Sequence, residues 1–365
     1  MTDYSANDYD YMARALKLAA KGLYTTHPNP RVGCVLVKAG EIVGEGWHEY
    51  AGGPHAEVNA LQMAGEQARG ATVYLTLEPC AHEGRTPPCA NALIKAGVSR
   101  VLAAMQDPNP AVAGKGFGLL REAGIDVSIG LLQAEAEALN PGFIKRMRYG
   151  RPYVRHKLAM SLDGRTAMAS GESKWITSNE ARLDVHRLRA QSDAILTGVG
   201  TILADDPNLT VRLEGHERQP LRVVVDTNLS LPPEARILSQ PGRVVVMTCS
   251  ESSSARVALE KAGAEIVDIP YCSSQVDLAA VLDQLGELGI NEVFVETGAT
   301  LSGAMLRDRL SDELIIYVAP SLMGDKARGL FRLPELETMD QKIELDILDL
   351  RMVGKDIRVT AKVKN

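Results

Sequence analysis

Residues 71–97 read "ATVYLTLEPCAHEGRTPPCANALIKAG", and this stretch decides the fold of the part of the chain that contains it. Its first seven residues are rich in β-branched and aromatic side chains and predict a strand. From Cys89 onward, apolar residues recur at helical spacing and predict a helix. A strand that leads into a helix is typical of layered α/β folds. The connecting loop carries Cys80 and Cys89, whose task has to be explained.

The preceding and following residues continue this alternation. Apolar residues at helical spacing run from Tyr9 to Ala20, and residues 31–48 predict two strands joined by a turn at Ala39-Gly40. A helix is predicted over 56–64, a strand over 100–105, and a further helix and strand within 114–130. This part of the chain is therefore predicted to be an α/β domain.

The length of the chain predicts a second domain. At 365 residues it exceeds the roughly 250–300 residues that a single hydrophobic core supports. A helical signal ends at Gly150-Arg151-Pro152, and we place the boundary at about residue 148, giving domains of 1–147 and 148–365. Strands and helices alternate again in the second part, and the segments 343–354 and 356–364 predict an antiparallel ribbon that closes a mainly parallel sheet.

Composition narrows the class of function. The net charge is −6, and neither part of the chain is basic, so binding to nucleic acid through many phosphates is not expected. No apolar run approaches the length of a membrane span, and the N-terminus lacks the pattern of a signal peptide. We expect a cytoplasmic protein that acts on a small molecule, without nucleic-acid or membrane partners.

Four residues predict a metal centre. His55 and Glu57 lie at the start of the helix over 56–64, and residues two apart on a helix can serve one site only beyond its N-terminal end. Cys89 also opens a helix, where exposed N–H groups favour the thiolate that binds metal. His55, Cys80 and Cys89 are borderline-soft ligands that select zinc, and they leave a fourth position for water. Glu57 is then predicted to be the proton shuttle, as in the zinc deaminases.

Two other interpretations of the cysteines stay open. A disulfide between Cys80 and Cys89 is disfavoured because cytosolic thiols are normally kept reduced. A closed structural zinc site with His82 as fourth ligand is conceivable, but it leaves Glu57 without a task. The eight residues between the cysteines also exceed the two of the commonest deaminase motif.

The motifs of the whole chain resemble the bifunctional riboflavin-biosynthesis deaminase-reductases. The likeness of the first part rests on "TTHPNPRVGCVLV", "GGPHAEVNAL", "TLEPCAHEGRTPPC" and "DPNPAVAGKG". That of the second rests on "KLAMSLDGRTA", "ESKWITS", "LTGVGTILADDPNLTVR", "VVVDT" and "VFVETGATLSGAML". The resemblance implies a cytidine-deaminase-like three-layer αβα domain followed by a dihydrofolate-reductase-like α/β domain.

The resemblance also implies two consecutive reactions. Zinc-dependent hydrolysis removes the 2-amino group of 2,5-diamino-6-(5-phosphoribosylamino)pyrimidin-4-one, and NADPH then reduces the ribosyl group of 5-amino-6-(5-phosphoribosylamino)uracil to ribityl. In the first domain the matching positions imply that base and sugar phosphate are held by Asn29, His48, His82 and Arg85. The alternative is that these four residues only form turns or face solvent. For Asn29, which lies between two prolines, a role in a turn is as well supported as a role in binding.

The second domain lacks the G-x-G-x-x-G signature of a Rossmann dinucleotide site, and the G-x-G of "TGVGT" indicates only a turn. The strand-to-helix junction at Gly298 suits either a phosphate or a tight turn. The resemblance implies an NADPH-binding site, which is lined by Ala159, Trp175, Thr201, Asp205, Thr227, Gly298, Ala299, Thr300, Leu301, Ser302, Gly303 and Ala304. It implies that the ribosyl phosphate substrate is held by Ser173, Arg189, Leu209, Arg212 and Glu296.

Reduction of the sugar also needs a proton source, for which Lys157, Asp205 and Glu296 are the candidates. Lys157 facing solvent and Asp205 as a turn residue are the alternatives. Ala299 stands where a proline is more usual in the family. The resemblance further implies a homo-oligomer, with a dimer through the reductase domain favoured. Two rival functions stay open: a nucleobase or nucleoside deaminase with a second domain that only mediates assembly, and a zinc-stabilised scaffold without catalysis.

Overall fold

The computed structural model of the chain describes residues 4–81, 88–272 and 275–364. The chain divides into two compact units, Met1–Gly150 and Arg151–Asn365. No helix in the described residues combines the length and the apolar character that a membrane span requires.

The first unit is built on one five-stranded sheet. Its strands are β1 Gly33–Lys38, β2 Glu41–Trp47, β3 Thr72–Leu75, β4 Arg100–Ala103 and β5 Asp126–Ile129. They lie in the order β2-β1-β3-β4-β5. Strand β1 is antiparallel to β2 and β3, whereas β3, β4 and β5 are parallel. The connections that follow β3 and β4 therefore leave the same edge of the sheet.

Helices cover both faces of this sheet. They are α1 Ala6–Ala20, α2 Ala56–Ala64, α3 Cys89–Ala96, α4 Lys115–Glu122, α5 Gln133–Leu139 and α6 Pro141–Tyr149, with a 3-10 helix at Gly65–Ala68. Successive strand residues point to opposite faces, so Leu36 and Leu75 pack with α2, α3 and α4, and Val35 and Tyr74 with α1, α5 and α6. The result is three layers, αβα.

Helix α2 approaches the sheet closely because β2 carries two glycines. A Cβ atom at Gly44 would lie 2.3 Å from the carbonyl oxygen of Ala60, and one at Gly46 would lie 2.3 Å from that of Ala56. No larger residue fits at either position without moving the helix. These contacts therefore fix the end of α2 at which His55 and Glu57 lie.

The second unit is built on a nine-stranded sheet in the order β11-β10-β9-β8-β14-β6-β15-β18-β17. Its strands are β6 Tyr153–Ser161, β7 Arg165–Ala167, β8 Ala194–Gly198, β9 Leu221–Val225, β10 Val244–Thr248, β11 Ala264–Asp268, β12 Tyr271–Cys272, β13 Gln275–Val276, β14 Glu292–Glu296, β15 Glu313–Ala319, β16 Arg328–Gly329, β17 Leu345–Val353 and β18 Asp356–Val363. Strands β6 to β15 of the large sheet are parallel, and β18 runs antiparallel to β15 and β17. The predicted closing ribbon is confirmed.

Helices cover most of this sheet. They are α7 Asn179–Ala190, α8 Val199–Asp205, α9 Ser253–Lys261, α10 Leu278–Glu287 and α11 Ala299–Arg307, with a 3-10 helix at Met339–Gln341. One core packs α7, α8 and α9 against the sheet, and the other packs α10 and α11 against its opposite face. A third cluster, around Leu158 and Ile316 on β6 and β15, is built from strand and loop residues alone within the described chain.

The structure corrects the sequence analysis at several elements. The G-x-G of residues 198–200 is more than a turn, because Gly198 is the N-cap of α8 and Gly200 lies within that helix. Strand β11 and helix α5 were not predicted, since both are short and rich in charged residues. Helix α6 continues to Tyr149 and ends where Gly150 adopts a left-handed conformation, with φ 75°.

Candidate functional site

The metal-binding residues of the first unit are presented by two helix starts and one turn. His55 is the N-cap residue of α2, and Cys89 is the first residue of α3. Cys80 lies in the turn that follows β3, where its sulfur accepts a hydrogen bond of 3.2 Å from the Cys89 backbone N–H. Two helix N-termini therefore meet at one point, which favours negatively charged ligands there.

The three predicted ligands are brought together. One ligand atom from each of His55, Cys80 and Cys89 lies within 4.8 Å of the others. The His55 Nδ1 atom is 3.2 Å from the Cys89 sulfur and 3.7 Å from the Cys80 sulfur. Nitrogen and two sulfurs at this spacing fit a zinc ion, with one tetrahedral position left for water.

The electrostatics of the group agree with metal binding. Hydrogen bonds from Cys89 and His55 lower the pKa of the Cys80 thiol to about 4, although burial acts in the opposite direction. The Cys80 thiolate in turn raises the pKa of Cys89 and, by hydrogen bonding, that of His55. A zinc ion would replace the shared protons and hold both sulfurs as thiolates.

Glu57 lies in the first turn of α2, buried beside the ligands. Burial, together with the nearby Cys80, raises the pKa of its carboxyl group to about 7. A carboxyl group that titrates near neutral pH can both take up and release a proton. The start of α2 therefore brings Glu57 and His55 to the same group of side chains.

Asn29 and His48 also lie at this group. The Asn29 side-chain amide is 3.0 Å from His48 Nε2, and His48 Nδ1 is 3.0 Å from the Pro54 carbonyl oxygen. The His48 ring stands edge-on to that of His55, with centroids 5.6 Å apart. Burial lowers the pKa of His48, so the ring is neutral and Nδ1 donates to Pro54. His82 and Arg85 lie outside the described residues.

In the second unit three of the predicted substrate residues, Lys157, Arg189 and Glu296, lie together where β14 ends beside the middle of β6. Lys157 and Glu296 are register partners on these adjacent strands. Arg189 of α7 donates two hydrogen bonds to the Glu296 carboxylate, of 2.5 and 3.0 Å, and one of 2.8 Å to the Thr210 carbonyl oxygen. Burial lowers the pKa of Lys157, whereas Arg189 and Lys157 lower that of Glu296 against the effect of burial.

A residue that the sequence analysis missed, His186, joins this cluster. Its Nδ1 atom accepts a hydrogen bond of 3.3 Å from the backbone N–H of Arg212. Burial, with Arg189 and Arg212 close by, lowers the pKa of His186 to about 4, which leaves the ring neutral. His186 lies three residues before Arg189, and this helical spacing was the one signal in the sequence that could have found it. Leu209, buried and with φ 50°, begins the segment that carries Arg212.

The predicted cofactor residues Thr201 and Gly298 follow the carboxyl ends of β8 and β14. Gly298 and Gly198 are N-caps of α11 and α8, and neither helix start is capped by a side chain. A Cβ atom at Gly298 would lie 4.0 Å from the Thr201 hydroxyl oxygen, so these two helix starts face each other. Uncapped N–H groups at such a place suit a pyrophosphate.

Not every residue of 298–304 faces the space between the starts of α8 and α11. Ser302 is buried and lies 2.9 Å from His156 Nε2, and a Cβ atom at Gly303 would lie 2.0 Å from the Arg332 carbonyl oxygen. Both therefore pack inward. Thr227 lies in the turn after β9, where its carbonyl oxygen accepts a hydrogen bond of 3.2 Å from Thr248.

Asp205 and Trp175 occupy the neighbouring loops. Asp205 ends α8, and its carboxylate accepts a hydrogen bond of 3.4 Å from Ser173 and lies 3.7 Å from the Lys174 ammonium. Trp175 is exposed and stacks under the Arg182 guanidinium at 4.5 Å. It lines a surface depression of about 530 Å³ with the start of α7, and no other predicted cofactor residue lines that depression.

Comparison with known proteins agrees with this division of sites. Residues 5–105 match the cytidine and deoxycytidylate deaminase zinc-binding region, and residues 152–359 match the RibD C-terminal domain. The riboflavin biosynthesis protein RibD of Escherichia coli (strain K12) is 54% identical over 96% of this chain and 98% of its own length. The chain belongs to the RibD family. The match of the second unit to a RibD domain argues against a part that only mediates assembly, and the deaminase match against a scaffold.

Solved RibD structures have the same fold. A structure of Acinetobacter baumannii RibD superposes with a TM-score of 0.92 at 48% identity, covering 98% of this chain and 99% of that one. A deaminase/reductase from Thermotoga maritima superposes with a TM-score of 0.87 at 34% identity, covering 98% and 99%. The predicted fold class, two α/β domains in the RibD order, is confirmed.

Proposed function

We propose that the chain catalyses two consecutive steps of riboflavin biosynthesis, with residues 1–147 as a deaminase domain and residues 148–365 as a reductase domain. The substrates are the diaminopyrimidinone ribosyl phosphate and then 5-amino-6-(5-phosphoribosylamino)uracil, the compound in the name of the Thermotoga relative. The observation that carries the proposal is the convergence of His55, Cys80 and Cys89 beside the buried carboxyl group of Glu57 in a RibD chain.

In the deaminase reaction His55, Cys80 and Cys89 hold zinc, and Glu57 moves the protons. When bound, zinc supplies a water molecule whose pKa it lowers to about 7. With zinc bound, Glu57 would take one proton from this water and pass it to a ring nitrogen as the water oxygen adds to the ring carbon that bears the amino group. Glu57 would then take the second proton from that oxygen and pass it to the amino group, which leaves as ammonia while the C–N bond breaks and the carbonyl forms. Its raised pKa supports these exchanges at neutral pH.

Asn29 and His48 hold the base in this site. The neutral His48 ring, fixed through Nδ1 to Pro54, keeps Nε2 directed at the Asn29 amide, so both polar groups are oriented before substrate arrives. His82 and Arg85 complete the contacts to base and phosphate, as the family motif implies.

In the reductase reaction NADPH, when bound, supplies the hydride. Residues 298–301 and Thr201, in the first turns of α11 and α8, would hold its pyrophosphate, and Ser302, Gly303 and Ala304 would support α11. The remaining cofactor positions are Ala159, Trp175, Asp205 and Thr227. Fixed backbone N–H groups bind phosphate without further reorganisation.

The ribosyl phosphate lies over the Lys157–Glu296–Arg189 cluster, with Ser173, Leu209 and Arg212 beside it. Lys157, Arg189 and Arg212 outnumber the single carboxylate of Glu296, and this excess of positive charge suits a phosphate dianion. Burial lowers the pKa of Lys157, and this residue delivers the proton to the opened sugar. Glu296 holds the Lys157 ammonium group in place.

We further propose that the protein is cytoplasmic and that it forms a homodimer through the second unit. A β-bulge between Ile347 and Asp349 brings Leu345, Ile347, Leu350 and Met352 to one face of β17, in register with apolar residues of β18. These β17 side chains are exposed at the edge of the sheet, next to the cluster of strand and loop residues around Leu158. Contiguous exposed apolar residues on an edge strand mark a protein interface.

The proposal is tested by zinc content, ammonia release and NADPH oxidation with the diaminopyrimidinone as sole substrate. We expect about one zinc per chain, and ammonia before NADPH is consumed. Cys80→Ser should lose zinc and deamination but still reduce supplied 5-amino-6-(5-phosphoribosylamino)uracil. Cys249→Ser, in the second unit, should keep zinc and deamination. Zinc without either activity in the unmodified chain would refute the proposal.

A further inference from the structure

Glu78 is a buried carboxylate for which the proposed reactions provide no task. It lies in the connection after β3, two residues before Cys80. Its Oε2 atom accepts backbone hydrogen bonds from Asp107, at 3.1 Å, and from Gly114, at 2.9 Å. Its Oε1 atom accepts from Gly116, at 2.9 Å, and from Phe117, at 3.4 Å.

These four N–H groups belong to the connection between β4 and α4 and to the first turn of α4. That helix has no side-chain cap of its own, since its N-cap is Gly114, with φ 80°. The Glu78 carboxylate therefore acts as the missing cap from a neighbouring strand connection, with its negative charge at the positive end of the helix dipole. One side chain thus ties together both ends of residues 107–117.

The contact between α4 and the metal-binding turn is direct. A Cβ atom at Gly116 would lie 2.0 Å from the carbonyl oxygen of Pro79, the residue between Glu78 and Cys80. On the other side, the Cys80 carbonyl oxygen accepts a hydrogen bond of 3.2 Å from Ala90 in α3. The turn that carries Cys80 is therefore held between α4 and α3, and Glu78 supplies the hydrogen bonds on the α4 side.

We propose that Glu78 is a positioning residue for the zinc centre, which keeps the Cys80 sulfur at its distance from His55 and Cys89 through the turn it anchors. The inference rests on the proposed zinc site. Glutamine at position 78 would keep one acceptor oxygen and turn an NH₂ group toward the other pair of N–H donors. The turn that carries Cys80 would lose two of the four hydrogen bonds to the side chain at position 78, and zinc would dissociate faster.

The experiment measures zinc release to a chelator from the full-length E78Q protein. We expect release about 10- to 100-fold faster than from the unmodified chain, the usual effect of removing a group that supports a metal ligand. Excess zinc should restore deamination to within a few-fold, since Glu57 and the ligands are intact. Hydrogen exchange at residues 107, 114 and 116 should accelerate, and reduction of supplied aminouracil should stay unchanged.

The matched control is E122Q, which makes the same chemical change at an exposed position on the same helix. Wild-type zinc release in E78Q would overturn the inference while leaving the deaminase proposal standing. Absence of zinc from the unmodified chain would instead refute the proposed function itself. If E78Q does not fold, E78D decides, because its shorter carboxylate cannot reach all four donors: faster zinc release supports the inference and an unchanged rate overturns it.

Discussion

Glu57 separates metal binding from catalysis in the first unit. Glu57→Gln keeps the size of the side chain and leaves the three ligands in place, but the amide cannot carry protons. We expect kcat for deamination to fall by about 10²- to 10⁴-fold, with zinc content unchanged. Ammonia release and zinc analysis on the same sample test this, with Glu66→Gln at an exposed position as the control. Loss of zinc in Glu57→Gln would show that the carboxylate is a ligand.

His156 makes the second unit sensitive to acid. The ring is fully buried between Ser302, on α11, and Ser311, and burial lowers its pKa to about 4 from an ordinary 6.5. The unfolded chain therefore binds a proton at a pH where the folded chain does not. This contribution to stability is complete above about pH 6.5 and is lost as the pH falls toward 4, with a size of the order of 3 kcal/mol.

His156→Gln removes the titrating group. The free energy of unfolding of the His156→Gln protein should therefore fall less steeply between pH 7 and pH 4.5 than that of the unmodified chain. Urea unfolding at several pH values measures the two slopes. The His186 ring, whose pKa is lowered in the same direction, leaves a residual slope in both proteins. Equal slopes would contradict the assignment to His156.

The sequence predicted the group of His55, Cys80 and Cys89 because two of its members open helices and the third follows a strand, positions that local rules fix. His186 and Glu78 could not be assigned in the same way. The first binds the backbone of Arg212, and the second binds amides 29 to 39 residues away, so neither partner is visible until the chain has folded. Local sequence pattern identifies groups that share a helix end, and it does not identify groups that only tertiary contacts join.

Helix α2 positions the metal site through its contact with β2. Gly46→Ala places a Cβ atom 2.3 Å from the Ala56 carbonyl oxygen, so the start of α2 must shift away from the sheet. We expect zinc affinity to fall by about 10-fold or more, because His55 and Glu57 move with the helix. Gly118→Ala, in open space on α4, is the control and should bind zinc normally. Equal affinities by chelator competition would show that α2 is not held by this contact.

Strong periodicity decided which elements the sequence could predict. Helix α2 occurs as predicted, because it has an unbroken helical pattern. Strand β11 reads "AEIVD", and its place follows from pairing with β10, a contact that its own residues do not specify. Gly198 and Gly200, at the N-cap and second residue of helix α8, locally favour a turn, and the packing of Ile202 in the core overrides that preference.

At the level of the whole molecule, each unit has its own core and its own group of functional side chains. The residues that the motifs predicted for each group lie within a single unit. The sequence predicted the two strands of the ribbon at the end of the chain but not the bulge in β17. This bulge brings residues on both sides of position 348 to a single face of the strand. Only the structure shows that this face is apolar and exposed.

This exposed face gives the last prediction. Ile347 on β17 and Val257 on α9 are both 63% exposed, but only Ile347 belongs to the aligned apolar row of the sheet edge. If that row is the dimer interface, Ile347→Glu buries a charge between two copies and should weaken dimerisation at least 100-fold, about 3 kcal/mol. Val257→Glu makes the same change on a surface outside the interface and should leave the dimer intact. Analytical ultracentrifugation at micromolar concentration distinguishes the two, and a dimeric Ile347→Glu protein would place the interface elsewhere.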